Sequence, residues 1–365
     1  SFSTSHTETW GDYYRVGLKL EQPLYTFGKL SALKEAARHG LEIAKAQVEL
    51  VRWELYYRAA SAYQGALLSR DVAEILKEGA AWVDKVDARL EALKREDSED
   101  YDPLSHLRLK SRLGELAAMQ VSNQNLSEES YDALRLLLSL PPSTSIQLRE
   151  KSVSLSSVKL EPMAHYLELA QGVRPEFQVL DTEIALQEAK AIQAKSLAWP
   201  DLVLVGEVNA LGSAGNESPR AFPGDGASGV AAGVLLALRW RFALSESLLK
   251  GRQFELQAEH IRAKSKAAKL LFERDLGRLH GRMTRSLALI DVEAKAVESA
   301  RAWLVHSWEL YDTGFGPLRE VMDALDAFWK TRMTHLKHIV AFNLMLADLK
   351  RKVGQDIGPH VEEAP

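Results

Sequence analysis

The chain has 365 residues, with 46 Lys and Arg against 50 Asp and Glu and a formal net charge of −4. That balance gives no global attraction to nucleic acid, and no block of Lys or Arg supplies a local one. The absence of cysteine excludes a disulfide framework and a thiolate metal site.

Residues 1–10 (SFSTSHTETW) lack the basic start, apolar core and small-residue cleavage site of a signal peptide, so a processed or truncated chain is expected. The first predicted element is a strand over 13–21. Tyr14, Val16, Leu18 and Leu20 alternate with Arg15, Gly17, Lys19 and Glu21, which puts charge on one face and apolar side chains on the other. From 29 to 94 there is no proline, and Leu41, Ala44, Val48, Val51, Leu55, Ala59 and Ala62 recur at alternating three- and four-residue spacing. That is the seam of a coiled coil, and a helix of about 65 residues runs about 100 Å. A charged cluster over 95–100, followed by Tyr101, Asp102 and Pro103, marks a reversal. The return helix over 104–140 stops at Pro141 and Pro142.

Residues 143–200 read as a connector of strands and helices, with a helix over 175–197. Strands follow over 201–212 and 229–242, separated by a loop over 213–227 rich in Gly, Ser, Pro and Asn. Val203, Val205, Glu207 and Asn209 share one side, with Leu202, Leu204, Val208 and Ala210 on the other. Arg239 and Arg241 fall opposite Leu236, Leu238 and Trp240. Strands of about ten residues are long enough to cross a bilayer when tilted. A second long helix over 246–310 reverses at 311–317 and returns over 318–352. Gly314 and Gly316 give the reversal its backbone freedom, and Pro317 suits a first helical turn. The longest apolar run, 229–238, is too short for a membrane helix.

The chain repeats itself. Laying Gly17 on Gly233 puts Lys34 on Lys250, and laying Asp102 on Glu320 aligns the two reversals. The expected organisation is repeat 1 over 1–142 (strand portion 1–25, helical hairpin 29–140) and a connector with equatorial strands and helices over 143–200. Repeat 2 covers 201–354 (strands 201–212 and 229–242, hairpin 246–352), and a tail covers 355–365. The fold class is mainly α with a small β portion. No phosphate loop, Gly-x-Ser-x-Gly, His-Glu-x-x-His or Glu-x-x-His occurs, so an enzyme has no footing. His335 and His338, one turn apart, have no matching carboxylate in the sequence and read as surface histidines. Two functions stay open: a membrane conduit, or a soluble or peripheral coiled-coil scaffold that presents its hairpins to other proteins. The charged strand face favours the conduit, because a scaffold gains nothing from it.

Three segments carry a resemblance: GLKLEQPLYTFGKLSALKEAA (17–37), RPEFQVLDTEIALQEAKAIQAKSLAWPDLVL (174–204) and YDTGFGPLREVMDALDAFWKTRMTHL (311–336). In order and spacing they resemble the TolC-like outer membrane efflux proteins. The resemblance implies a homotrimer whose strands close one shared outer-membrane β-barrel and whose helical hairpins form an α-barrel through the periplasm. It implies work with a periplasmic adaptor protein and an inner-membrane RND or ABC transporter, contact with outer-membrane lipid, and no cofactor. By motif, Glu320, Asp323 and Asp326 correspond to the acidic periplasmic gate. Gly314, Phe315, Pro317, Leu318 and Arg319, with Asp102 and Leu104 on the first hairpin, correspond to the adaptor-docking tips. Arg15, Lys19, Glu21, Glu207, Asn209 and Arg239 would face the barrel lumen. Tyr14, Leu18, Leu20 and Trp240 would face lipid, with Trp10 and Tyr25 as further aromatic-belt residues. The chain departs from the family pattern at its start, where residues 1–10 stand in the place of a first strand and a missing N-terminal portion is expected, and at 239–242, where Arg239-Trp240-Arg241-Phe242 stands against Pro23-Leu24-Tyr25. It departs again at the first tip, which lacks the glycine and carries the acidic stretch 96–100.

Overall fold

The computed structural model of the chain describes residues 12–98, 101–214 and 229–355. Trp10, Glu99, Asp100, most of the predicted 213–227 loop and nearly all of the tail lie outside the described residues. The elements run β1 (Asp12–Tyr25), α1 (Lys29–Arg95), α2 (Pro103–Leu137), α3 (Met163–Val173), α4 (Pro175–Ser196), β2 (Asp201–Ala214), β3 (Gly229–Arg239), α5 (Leu244–Asp312) and α6 (Leu318–Val353). The chain divides into two units, Ser1–Ala44 with Val179–Ser265, and Lys45–Gln178 with Lys266–Pro365.

In the first unit the strands form a 3-stranded antiparallel sheet in the order β1-β2-β3. The strand-to-helix junction after β1 is tight. Phe27 (φ 48°) and Gly28 (φ 90°) are both left-handed, which turns the chain within one residue pair. Lys29, the first residue of α1, donates from Nζ to Trp199 O at 2.8 Å and to Asp201 Oδ1 at 2.7 Å. The Phe27 ring stacks on Trp199 at 5.6 Å between centroids. β3 ends at Arg239, short of the predicted 242, because Trp240 leaves the ladder and donates from its indole Nε1 to Ala198 O at 3.0 Å.

In the second unit, Val83, Val86 and Leu90 of α1, Leu109 and Leu116 of α2, Leu304 of α5 and Val321 and Leu325 of α6 share one core. α1 ends on a left-handed residue, Asp97 (φ 49°), with Ser98 N donating to Leu93 O and Asp97 N to Lys94 O. α5 ends the same way on Gly314 (φ 80°), with Phe315 N donating to Leu310 O and Gly314 N to Tyr311 O. This hydrogen-bond pair is the Schellman motif, which satisfies carbonyls a helix end would otherwise leave open. α2 stops at Leu137 rather than 140 because Ser139 (φ 53°) forms a third such turn, with Leu140 N donating to Arg135 O. At its start, Asp102 caps α2 by accepting from Leu104 N at 3.0 Å and Ser105 N at 3.1 Å, and Pro103 fills a position that needs no N–H.

The connector differs from expectation. No strand forms over 143–162, and α3 follows instead. With no neighbouring strand to pair with, the segment satisfies its backbone on side chains. Val153 N donates to Asp71 Oδ2 at 2.7 Å, and Arg70 Nη2 donates to Glu150 O at 2.6 Å. The buried Asn343 of α6 accepts from Ser156 N and donates to Ser154 O.

Candidate functional site

The site residues expected from the sequence fall in two places: the faces of the sheet, and the tips of the hairpins. On the sheet, the register sets Lys19 opposite Glu207, Gly17 opposite Asn209 and Glu21 opposite Val205, and continues across Val205 to Leu235. Directly opposed residues of an antiparallel pair point to the same side. Lys19, Glu21, Glu207, Asn209 and Arg239 therefore share a face. They are also bonded there. Lys19 Nζ lies 2.8 Å from Glu21 Oε1, Arg239 Nη2 donates to Glu21 Oε2 at 2.6 Å, and Asn209 Nδ2 donates to Glu207 Oε1 at 2.6 Å. Arg15 occupies an alternate position of the same set, in register with Leu211, but its side chain lies outside the described residues.

Among the described side chains the opposite face is apolar except at Gln22, which stands in register with Leu204 near the helix end of the sheet. Val16, Leu18, Leu20, Leu204, Val208, Val230, Val234, Leu236 and Leu238 fall on it and all are exposed, Leu18 at 74%. Tyr14 falls in that set by register, with its side chain outside the described residues. Trp240 is half-exposed beyond the end of β3 and packs on Phe242 at 4.2 Å. Tyr25 is exposed and meets Phe27 edge-on. Among the described residues, no helix is long and apolar enough to cross a membrane.

At the second tip, the Gly314 turn presents Phe315 at 86% exposure, while Leu318 turns inward and is 7% exposed. Arg319 and Pro317 are exposed, and on the first hairpin Leu104 is exposed while Asp102 is taken up by capping. The three acids of α6 divide. Glu320 is exposed and makes no ion pair among the described residues. Asp323 is exposed and lies 3.7 Å from Arg319 Nε. Asp326 is half-buried and pairs with Arg112 of α2. Burial pushes the Asp326 carboxyl above its ordinary range, an effect that Arg112 opposes.

Sequence reasoning did not find Arg112, Lys29 or Asp201, whose partners lie far along the chain. It also missed Glu293, whose carboxylate meets His338 Nδ1 at 2.6 Å. No group of three or more potential metal ligands occurs among the described residues.

An amphipathic antiparallel sheet whose strands lead into two long helical hairpins is the fold of the TolC-like outer-membrane channels. Among solved structures the chain is similar to the outer membrane protein VceC from the bacterial pathogen Vibrio cholerae, with a TM-score of 0.77 and 16% identity over 97% of this chain and 82% of that one. It is similar also to CusC (TM-score 0.76, 15% identity, 94% and 78% covered) and to the outer-membrane channel OprN (TM-score 0.74, 19% identity, 96% and 77% covered). Comparison with protein-family profiles and with curated proteins finds no match.

Proposed function

We propose that this chain is one protomer of a homotrimeric, passive exit duct in the bacterial outer membrane, with its helical hairpins in the periplasm. The observation that carries the reading is the sheet, one of whose faces is exposed and apolar but for Gln22 while the other holds a bonded polar network. An exposed apolar surface of this extent marks contact with lipid or protein. Both β1 and β3 are edge strands among the described residues, and open edges are not viable in lipid. Closure by further copies resolves both problems, with the Lys19, Glu21, Glu207, Asn209 and Arg239 face lining water. The likeness to outer-membrane channels supports the same reading. The two halves of the chain, 1–142 and 201–354, act as repeats that each give strands to the barrel and a hairpin to the tunnel.

The acids of α6 form the periplasmic gate in this reading. Glu320 and Asp323 line the constriction, where rings of carboxylates select for cations. Asp326 sits behind them, neutralised within its own protomer by Arg112. The tips, Phe315, Pro317 and Arg319 with Leu104, dock a periplasmic adaptor, and the drive comes from an inner-membrane RND or ABC transporter. Single-channel recording of the detergent-extracted protein in a planar bilayer tests the duct. Discrete conductance steps from a trimer-sized species are expected. A monodisperse protein that needs no detergent and shows no conductance would hand the case to a scaffold.

A further inference from the structure

We propose that the cleft between the two hairpin tips receives an acidic segment of a partner protein, gripped by Arg89 of α1 and Arg108 of α2. The inference rests on the reading of the tips as a docking end and gives that partner a chemistry. The cleft has a volume of about 420 Å³ and is lined by Arg89, Asp102 and Arg108 on the first hairpin and by Gly314, Pro317 and Arg319 on the second.

Its charge is unbalanced. Arg319 is engaged by Asp323 at 3.7 Å. Asp102 is the carboxylate of the lining, and its oxygens accept from Leu104 N, Ser105 N and, at 2.6 Å, Ser105 Oγ. These bonds, the Ser105 hydroxyl first, hold Asp102 ionised and turned to its own helix end. Arg89 and Arg108 are exposed and make no ion pair among the described residues, although Arg108 lies close enough to Asp102 to help hold that carboxylate ionised.

A guanidinium fork binds a carboxylate bidentately, and two forks that no carboxylate of the cleft bonds directly make it a receptor for acidic side chains. The surroundings select a protein over a small anion. Leu104 and Leu107, each 64% exposed, and Phe315 are exposed apolar side chains close in sequence to the cleft lining, and a free anion would leave them uncovered. The occupant is therefore a segment whose acids are flanked by apolar residues.

The test uses the full chain in detergent and two fluorescently labelled helical-hairpin peptides. The reversal of one carries paired glutamates between leucines, and its twin carries glutamines. The glutamate peptide is expected to bind about tenfold more tightly or better, an advantage that shrinks with added salt. The Arg89→Ala/Arg108→Ala double variant is expected to erase the difference. Equal affinity for the two peptides overturns the proposal and needs no variant to fold. So does a double variant that leaves the preference intact, or one whose main effect is loss of the oligomer by light scattering, which would give the arginines to a second copy. Conductance is recorded on the same preparation. Its absence alongside a retained glutamate preference would remove the duct reading and leave the cleft, whereas conductance with no preference removes the cleft alone.

Discussion

Glu21 on β1 and Arg239 on β3 meet at 2.6 Å although β2 runs between their strands. By register, Val205 stands opposite Glu21 and Asp201 opposite Arg239 on this face, with Val203 between them, and Val203 and Val205 are 4% and 7% exposed. The ion pair thus spans the full width of the sheet above two buried valines. Exposed ion pairs contribute little to stability, so Glu21→Gln should leave the melting temperature nearly unchanged. If the face lines water, the same substitution should shift the reversal potential in a salt gradient toward anions. An unchanged reversal potential would remove Glu21 from the ion path.

The gate makes a separate claim. Replacing both Glu320 and Asp323 by Ala should raise single-channel conductance and weaken block by multivalent cations. Unchanged conductance and block would reduce the two to surface acids. Asp326→Asn should have a smaller effect on block, since that carboxylate already faces Arg112.

Asp102 and Asp326 should respond to acid in opposite senses. The folded pKa of Asp102 is lowered, so its stabilisation is present above the ordinary aspartate value and fades as pH falls through the folded value. The folded pKa of Asp326 is raised, so its contribution is greatest below the ordinary value and is lost as pH rises through the folded value. Melting curves measured from pH 3 upward, about the usual aspartate range, should lose an acid-side decline in Asp102→Asn. In Asp326→Asn they should lose a decline on the way to neutrality. The same slope change in both variants would contradict the assignment.

Gly79 of α1 is required by packing. A Cβ there would come within 2.5 Å of Trp329 Cζ2 and 2.8 Å of its Cε2. Gly79→Ala should destabilise by about 1–3 kcal/mol, the usual cost of overpacking. Pairing it with Trp329→Leu should recover part of that loss in a denaturation series. Additive losses would mean that the indole has room to move.

Asn343 ties the connector to α6. Its side chain donates to Gln64 Oε1 at 3.2 Å and Ser154 O at 2.9 Å, and accepts from Ser156 N at 3.1 Å and Ser156 Oγ at 2.9 Å. Asn343→Leu should cost about 2 kcal/mol by stranding these groups, and should open 143–162 to limited proteolysis. Cleavage no faster than in the parent would place the anchor elsewhere.

Strand faces and hairpin reversals were legible in the sequence because their signals are local. Alternation at Val16, Leu18 and Leu20 needs only neighbouring residues, and the sheet kept the predicted faces. Gly314 announced its turn. Asp97 did not, although it makes the same left-handed turn, because aspartate occupies that conformation less often than glycine. The Lys29–Asp201 and Arg112–Asp326 pairs join residues distant in the chain, and charge alone does not choose among the many possible partners. The strands expected somewhere in the 143–200 connector do not form over 143–162, because strand formation also needs a neighbour to bond.

The two sheet edges that are uncovered among the described residues carry a cost before any duct exists. In the duct reading a newly exported copy would hold sticky backbone rows and an oily face in an aqueous compartment until sister copies cover them. Its survival then becomes a race between finding sister copies and clumping or being degraded. The abundance of such a protein would be set as much by how quickly copies meet, or by a chaperone that shields them, as by how firmly each one folds.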